Sequence, residues 1–586
     1  MARATGPANA RVPVWGLAHS RLVGASREAD SLGREATAAF PQVFGGRVAS
    51  RAPRGVRRSV DTVGETPAKG TPGGGAEPSR RAAIGTVAIG GGLALLGAGA
   101  IRQFGGEAIE WVGAITPESA GDEVPGPRLI LADDPTVHIV APEVSPQALL
   151  AASRALLAIS TVVVVADLAD RAATSAASAC ARGLGIPLLP LDADLAGELD
   201  RLGVVTVVSY AGAETDLGGR EAVAGPVDGS LPAIDGLPLT PPEAAAILLA
   251  EDEEVPEPLL ALAASAGATE ARIAPDGDPR KSIATIRALR AAPVAPVLAV
   301  GAGFGGGERL AARVGTARTA VQFPGESVLP LHRRRMIALY GSPLTASLGM
   351  LGEQPAQEAA DRVIALTEEY RTLLDDDRVY PAFELIATVA AGQAGPDGTY
   401  SNVTDPDVLA EWIDVAEANE IYCILDLQPG RADFLTQAKI YTDLLRRPHV
   451  GLAIDPEWRL QPGEVPLTRI GHVEVDEVNA VADWLAELTR AEGLPPKVLT
   501  LHQFQTQMIR DRDRLVLDHD EIAMLVHVDG SGGQGAKQST WRTIRDGLPA
   551  SVYLGWKNFE HEDFPMLTPA ETVATVEPMP AFVSYQ

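Results

Sequence analysis

Residues 421–428 read IYCILDLQ, residues 450–458 read VGLAIDPEW and residues 522–530 read IAMLVHVDG. Each stretch is a short apolar run that closes with acidic or amide side chains. Continuous apolar runs of this length predict strands buried on both faces, which is typical of a parallel sheet covered by helices. The polar residues that close each run therefore lie at the carboxyl ends of neighbouring strands, where such folds build their sites.

The same pattern recurs along residues 332–586, with amphipathic helical segments between the runs. Asp405 and Asp476 are predicted to cap two of these helices. The fold class that follows is α/β, with this part forming a (β/α)8 TIM-type barrel, and an open doubly wound sheet is the alternative. The last run ends at Gln586, so we expect another element, such as the preceding domain, to seal the barrel there. The eight runs are 336–341, 379–389, 421–428, 450–458, 497–504, 522–530, 551–559 and 581–586, and the helical segments are 354–374, 405–420, 431–445 and 476–493.

Residues 102–331 alternate β-branched runs, such as TVVVVA at 161–166, with alanine-rich helical segments. This rhythm predicts a second α/β domain with a parallel sheet. Its last part, GAGFGG at 301–306, has the G-x-G-x-x-G spacing of a dinucleotide-binding turn. No acidic residue closes a following strand about 20 positions later, as that motif requires. We therefore predict no cofactor.

The amino-terminal part has a different composition. Residues 1–78 are rich in Arg, Gly, Pro, Ala and Ser without a sustained period, so we interpret them as a disordered basic region. Ser79-Arg80-Arg81 then precedes an uncharged run over 82–101 that ends in small residues. This arrangement predicts an export signal of the twin-arginine type at 79–101, with a single membrane anchor as the alternative. Either places the remainder outside the cytoplasm, secreted or attached to the cell surface.

Charge and cysteine content exclude several classes of protein. The net charge is −27, and residues 1–81 sum to +7, which leaves −34 for the rest. Such an acidic globular part argues against nucleic acid as a partner. Two cysteines, Cys180 and Cys423, cannot build a disulfide framework or a thiolate metal site.

Candidate site residues follow from the strand ends. Because residues i and i+2 of a strand point the same way, the pairs Asp426/Gln428, Asp455/Glu457 and His527/Asp529 are each expected to enter the barrel opening. The candidate catalytic residues are Glu457, Asp455 and Asp426. The candidate substrate-binding residues are Tyr340, Glu384, Gln428, Trp458, His502, Gln503, His527, Asp529, Trp556 and Lys557, with Tyr400 as a further aromatic face; no metal ligand is assigned.

Asp455-Pro456-Glu457 resembles the Asp-x-Glu motif of chitinase-like and muramidase-like glycoside hydrolases. The resemblance implies that Glu457 protonates the glycosidic oxygen and that Asp455 orients the substrate or steadies developing charge. Asp426 would be a further carboxylate across the opening. A general acid needs a raised pKa, which a neighbouring carboxylate and burial provide.

The domain at 102–331 resembles the type 2 cell-wall-binding repeat of actinobacterial proteins, on the residues Pro146, Ala148, Leu149, Ala151 and Ala152 and on Pro187-Leu188-Leu189. The resemblance implies attachment to the cell wall, with a cell-envelope polysaccharide or peptidoglycan as the partner. The predicted function is an exported glycoside hydrolase. A glycan-binding protein without catalysis is one alternative. A metal-dependent hydrolase using Glu384, Asp426, His502, His527 and Asp529 is the other.

Overall fold

The structure, a computed structural model, describes residues 126–133, 136–211, 217–241, 243–251, 255–274, 276–466 and 468–586. The carboxyl-terminal region is a closed barrel of eight parallel strands, because the first strand pairs with both the second and the last. The predicted fold class is therefore confirmed, and the open-sheet alternative is wrong. The strands are β1 (Arg335–Gly341), β2 (Val379–Ala390), β3 (Tyr422–Leu427), β4 (Val450–Ile454), β5 (Lys497–His502), β6 (Ile522–Val528), β7 (Tyr553–Asn558) and β8 (Phe582–Tyr585).

Helices cover the outside of the barrel and bury their apolar faces against the strands. Asp405 caps its helix as predicted, since its carboxylate accepts the backbone N–H of Asp407. Asp476 does not cap, because the helix begins one residue earlier and Asp476 lies in its first turn, paired with Arg514. The segment predicted as one helix at 431–445 is two. The helices are Ala356–Leu374, Pro406–Ala418, Phe434–Ile440, Thr442–Leu445, Val475–Ala491, Gln534–Arg545 and Pro569–Thr575.

Side chains alternate along each strand between the helix layer and the barrel interior. Towards the amino ends of the strands, the inward-facing residues are apolar, including Met336, Ala338, Ile424 and Phe582. Towards the carboxyl ends they are polar. The interior is thus divided into an apolar floor and a polar carboxyl-terminal end, which we call the mouth.

The connector before β1 closes the floor. Phe323 and Leu331 are buried in the same cluster as the apolar interior residues of the barrel. The Phe323 ring makes an edge-to-face contact with Tyr422 of β3, with 5.8 Å between the ring centroids. The barrel is therefore sealed at its amino-terminal end by chain that precedes it.

The region before the barrel contains two four-stranded parallel sheets and a short antiparallel pair, as the α/β expectation requires. The turn at 301–306 does join a strand to a helix. The sheet strands are Val137–Val140, Val297–Val300, Ala246–Glu251 and Ala268–Ile273 in one sheet, and Leu188–Pro190, Val162–Ala166, Thr206–Tyr210 and Glu221–Ala224 in the other; Leu129–Leu131 pairs with Leu157–Ser160. The helices are Pro146–Leu156, Arg171–Leu184, Leu195–Leu202, Glu257–Ser265, Ile283–Ala291 and Gly307–Thr319.

A cluster of three arginines joins this region to the barrel. Asp520, in the loop before β6, accepts hydrogen bonds from Arg280, Arg309 and Arg313. Burial would raise the pKa of Asp520, but these hydrogen bonds hold it far below its ordinary value. The expected contact between the two regions is present, and it lies at the amino-terminal end of the strands. The site is at the opposite end.

The predicted disordered region at 1–78 and the predicted export signal at 79–101 lie outside the described residues. Within the described residues, none of the helices combines the length and the apolar character needed to cross a lipid bilayer.

Candidate functional site at the barrel mouth

Every strand of the barrel contributes a buried polar side chain to the mouth. The geometry of parallel strands brings these side chains together, because their carboxyl ends meet around one opening. We call this set the mouth cluster. It consists of Tyr340 (β1), Glu384 (β2), Asp426 (β3), Asp455 (after β4), His502 (β5), His527 (β6), Asp529 (after β6), Lys557 (β7) and Ser584 (β8), each less than a tenth exposed.

His502 lies at the centre of the cluster, between two carboxylates. Its Nδ1 is 2.9 Å from Oδ2 of Asp529, and its Nε2 is 2.9 Å from Oε1 of Glu384. Burial alone would lower the pKa of His502, but the charge of Glu384 and the bond to Asp529 raise it well above the ordinary value. In the absence of another cation, His502 is therefore an imidazolium that donates to both carboxylates.

His527 is the second imidazole of the cluster. Its Nε2 is 3.0 Å from Oγ of Ser584, and its Nδ1 is 3.6 Å from Oε1 of Glu384, too far for a hydrogen bond. Gly555 makes room for the ring, since a Cβ there would lie 2.9 Å from Cδ2 of His527. Burial lowers the pKa of His527, so the ring is neutral.

Asp426 and Lys557 both contact Tyr340. The Tyr340 hydroxyl donates to Oδ2 of Asp426 at 2.9 Å, and Nζ of Lys557 is 3.3 Å from the centroid of the Tyr340 ring. Burial raises the pKa of Asp426 to about 6. Because Lys557 covers the ring, Tyr340 does not offer a free face to a sugar, contrary to the prediction. Gln428 braces this corner, since its side-chain oxygen accepts the backbone N–H of Ala390 at 3.0 Å.

Asp455 and Glu457 are close together, although not by the strand alternation that we expected. β4 ends at Ile454, and Pro456–Trp458 form one turn of 3₁₀-helix, because Pro456 has no N–H for the strand ladder. Oδ1 of Asp455 accepts the backbone N–H of Glu457 at 3.3 Å, which fixes the turn. Asp455 is buried and Glu457 is half-buried at the rim.

The two carboxyl groups have raised pKa values. Burial, followed by the charge of Glu457, raises the pKa of Asp455 well above its ordinary value. Burial, followed by the charge of Asp529, raises the pKa of Glu457 to about 7. Burial would raise the pKa of Asp529, but the hydrogen bond from His502 and the charges of His502 and Lys557 together lower it. The mouth therefore holds, at its rim, a carboxyl group that is partly protonated at neutral pH, together with an ionised one.

Two predicted residues do not join the mouth cluster. Trp556 and Lys557 are consecutive in β7, so they face opposite sides, and the Trp556 ring packs against Trp541 under the helix layer with 5.7 Å between centroids. The Gln503 side chain turns away and donates to the backbone oxygens of Gln505 and Thr506. Neither side chain therefore lies among the residues of the mouth cluster.

The two remaining predicted aromatic residues are less buried. Trp458 is half-buried on the same turn as Glu457. Tyr400 is also half-buried, and the Arg431 guanidinium lies 4.4 Å from its ring centroid. Trp458 is thus the predicted aromatic residue that stands nearest in sequence to the rim carboxyl.

Sequence reasoning missed Ser584, which contacts His527. The signal was present, because Ser584 follows the inward-facing Phe582 by two positions in β8. The pattern of residues 581–586 predicts a strand but does not mark the Ser584 hydroxyl as a site residue.

Among the described residues, two overlapping sets of three side chains could hold a metal ion. One is Glu384, His502 and His527, and the other is Asp455, His502 and Asp529; in each, the ligand atoms lie within 4.8 Å of one another. A comparison with known proteins finds no matching family model, curated sequence or solved structure. The site is therefore interpreted from its own chemistry.

Proposed function

We propose that this protein is an exported glycoside hydrolase of the cell envelope, with Glu457 as its general acid. The observation that carries the proposal is the half-buried Glu457 at the rim, whose pKa is raised to about 7 beside the ionised Asp529. Paired carboxyl groups with separated pKa values are the chemical requirement for cleaving a glycosidic bond.

In the proposed reaction, Glu457 transfers its proton to the glycosidic oxygen as the bond from that oxygen to the anomeric carbon breaks. Water supplies the oxygen that the anomeric carbon gains, and its proton passes to a carboxylate. Asp529 is suited to the second role, because it is ionised and its Oδ1 has no hydrogen-bond partner among the described residues. It also stabilises the positive charge that develops on the sugar ring.

Asp455 has a different role in this proposal. Burial and the charge of Glu457 raise its pKa well above the ordinary value, which favours the protonated form, an O–H donor, over a negative charge. A protonated carboxyl that donates to the substrate would orient a sugar hydroxyl or an acetamido oxygen in front of Glu457. In this assignment Asp455 remains the partner of Glu457, but it acts as a hydrogen-bond donor to the substrate and not as a negative charge.

The substrate class rests on the sequence. The predicted export signal at 79–101 and the resemblance of 102–331 to a cell-wall-binding repeat support a polysaccharide of the envelope, including peptidoglycan, as the substrate. The two parallel sheets before the barrel are compatible with such a binding domain.

The test uses the full chain and purified cell-wall polysaccharide, with new reducing ends as the readout. Glu457→Gln should lower the rate about 10²–10⁴-fold while the protein still sediments with the polysaccharide. Glu562→Gln, which changes an exposed glutamate, is the matched control and should keep the wild-type rate.

Three results would contradict the proposal. Binding without any new reducing ends in the wild type would favour a non-catalytic glycan-binding protein. Loss of activity on chelation, with Glu457→Gln fully active, would favour a metal-dependent hydrolase. Equal rates for Glu457→Gln and the control would remove Glu457 from the chemistry.

A further inference from the structure

Three donor atoms lie close together beneath the rim, in the interior of the mouth cluster. Oε1 of Glu384 is 2.9 Å from Nε2 of His502 and 3.6 Å from Nδ1 of His527, and the ligand atoms of these three residues all lie within 4.8 Å of one another. All three residues are fully buried. Ligand atoms at about 2.1 Å from a tetrahedral metal ion are about 3.4 Å apart, so these separations fit one shared ion.

Both imidazoles have their other ring nitrogen held by a neighbour. Nδ1 of His502 is bound to Asp529, and Nε2 of His527 is bound to Ser584. Such outer contacts fix the ring orientation of a metal ligand. Nε2 of His502 and Nδ1 of His527 are therefore the ring atoms that face Oε1 of Glu384.

Two of the three residues also carry an atom without a hydrogen-bond partner among the described residues. These atoms are Oε2 of Glu384 and Nδ1 of His527. A fully buried polar atom without a partner costs about 1–3 kcal/mol, and such atoms are few in folded proteins. Two in one place call for a shared partner.

The donor chemistry indicates the sign of that partner. A carboxylate oxygen and imidazole nitrogens offer lone pairs, so the partner that they share is a cation.

We propose that Glu384, His502 and His527 bind one divalent transition-metal ion of the zinc class. Two imidazoles and one carboxylate are a three-ligand set that holds zinc in proteins, whereas calcium and magnesium prefer oxygen alone. The ion is a structural centre that sets the shape of the mouth below Glu457. The proposal does not depend on hydrolysis by Glu457.

The test is metal binding by the full chain without any substrate. Protein treated with a chelator and dialysed is titrated with Zn²⁺ by calorimetry, and bound zinc is counted by elemental analysis after gel filtration. We expect one equivalent per chain and a raised melting temperature. Glu384→Gln should lower the affinity at least tenfold, whereas His561→Ala, which removes an exposed imidazole, should leave it unchanged.

Cobalt(II) gives a readout that does not depend on any variant being folded. Co²⁺ bound to the wild type should show the intense visible bands of four-coordinate cobalt, and one equivalent of Zn²⁺ should abolish them. Less than a tenth of an equivalent of zinc, the weak spectrum of hydrated cobalt, or equal affinity in Glu384→Gln would overturn the proposal. These results leave the rate loss expected for Glu457→Gln untouched, so the two proposals fail separately.

Discussion

Replacement of Glu457 by glutamine tests the electrostatics of the mouth without a substrate. The folded pKa of about 7 compares with 4.5 for an ordinary glutamate. Between these values the unfolded chain releases a proton that the folded protein keeps, so the free energy of unfolding falls as the pH rises. At about 1.4 kcal/mol per pH unit, the loss reaches about 3 kcal/mol. Glutamine does not titrate, so the Glu457→Gln variant does not lose this free energy of unfolding as the pH rises.

The expected result is that Glu457→Gln gains stability relative to the wild type as the pH rises from 4.5 to 7.5. Because Glu457 is half-buried, solvent screening reduces the expected gain to about 1–3 kcal/mol. Below pH 4.5 the gain disappears, since the carboxyl is then protonated in both states. The stability advantage of the variant is therefore expected at neutral and alkaline pH and not in acid.

The assay is urea denaturation at several pH values, followed by tryptophan fluorescence. Five of the seven tryptophans, at 412, 458, 484, 541 and 556, lie in the barrel, so most of the fluorescence reports barrel unfolding. Glu562→Gln is the control and should show no pH-dependent difference from the wild type. A stability difference for Glu457→Gln that is the same at pH 4.5 and pH 7.5 would refute the reasoning.

Two further predictions concern parts of the fold outside the mouth. Asp520→Asn removes the carboxylate shared by three arginines and should lower the free energy of unfolding by about 2 kcal/mol. This loss is smaller than the about 3–5 kcal/mol of a fully buried pair, because Asp520 is partly exposed. An unchanged urea midpoint would mean that the Asp520 contacts do not stabilise the attachment of the preceding region to the barrel. Trp556→Ala should cost about 3–5 kcal/mol in the same assay and leave polysaccharide sedimentation unchanged, because Trp556 is a core residue. A stable variant with lost sedimentation would mean that Trp556 contacts the ligand.

The barrel could be predicted because its strands are continuous apolar runs, which are typical of a parallel sheet covered by helices. Glu384, Asp426 and His502 were found for the same reason, since strand ends mark the mouth. The position of Glu457 could not be derived from strand alternation, because Pro456 ends the strand and starts a 3₁₀ turn. Trp556 was predicted to bind substrate together with Lys557, but consecutive residues of a strand face opposite sides, and the Trp556 ring packs against Trp541.

Long-range packing explains what else could not be predicted. The contact of Phe323 and Leu331 with the barrel floor joins segments that are far apart in sequence, and their local pattern is that of an ordinary connector. The bonds of Asp520 to three arginines more than 200 residues away likewise leave no local signal. The convergence of the Glu384, His502 and His527 donor atoms depends on side-chain rotamers that spacing does not determine.

The packing of Phe323 and Leu331 against the apolar floor closes the amino-terminal end of the barrel. A ligand of the mouth cluster therefore has to approach from the carboxyl-terminal ends of the strands. In the reaction proposed above, the substrate would enter and the products would leave on that same side.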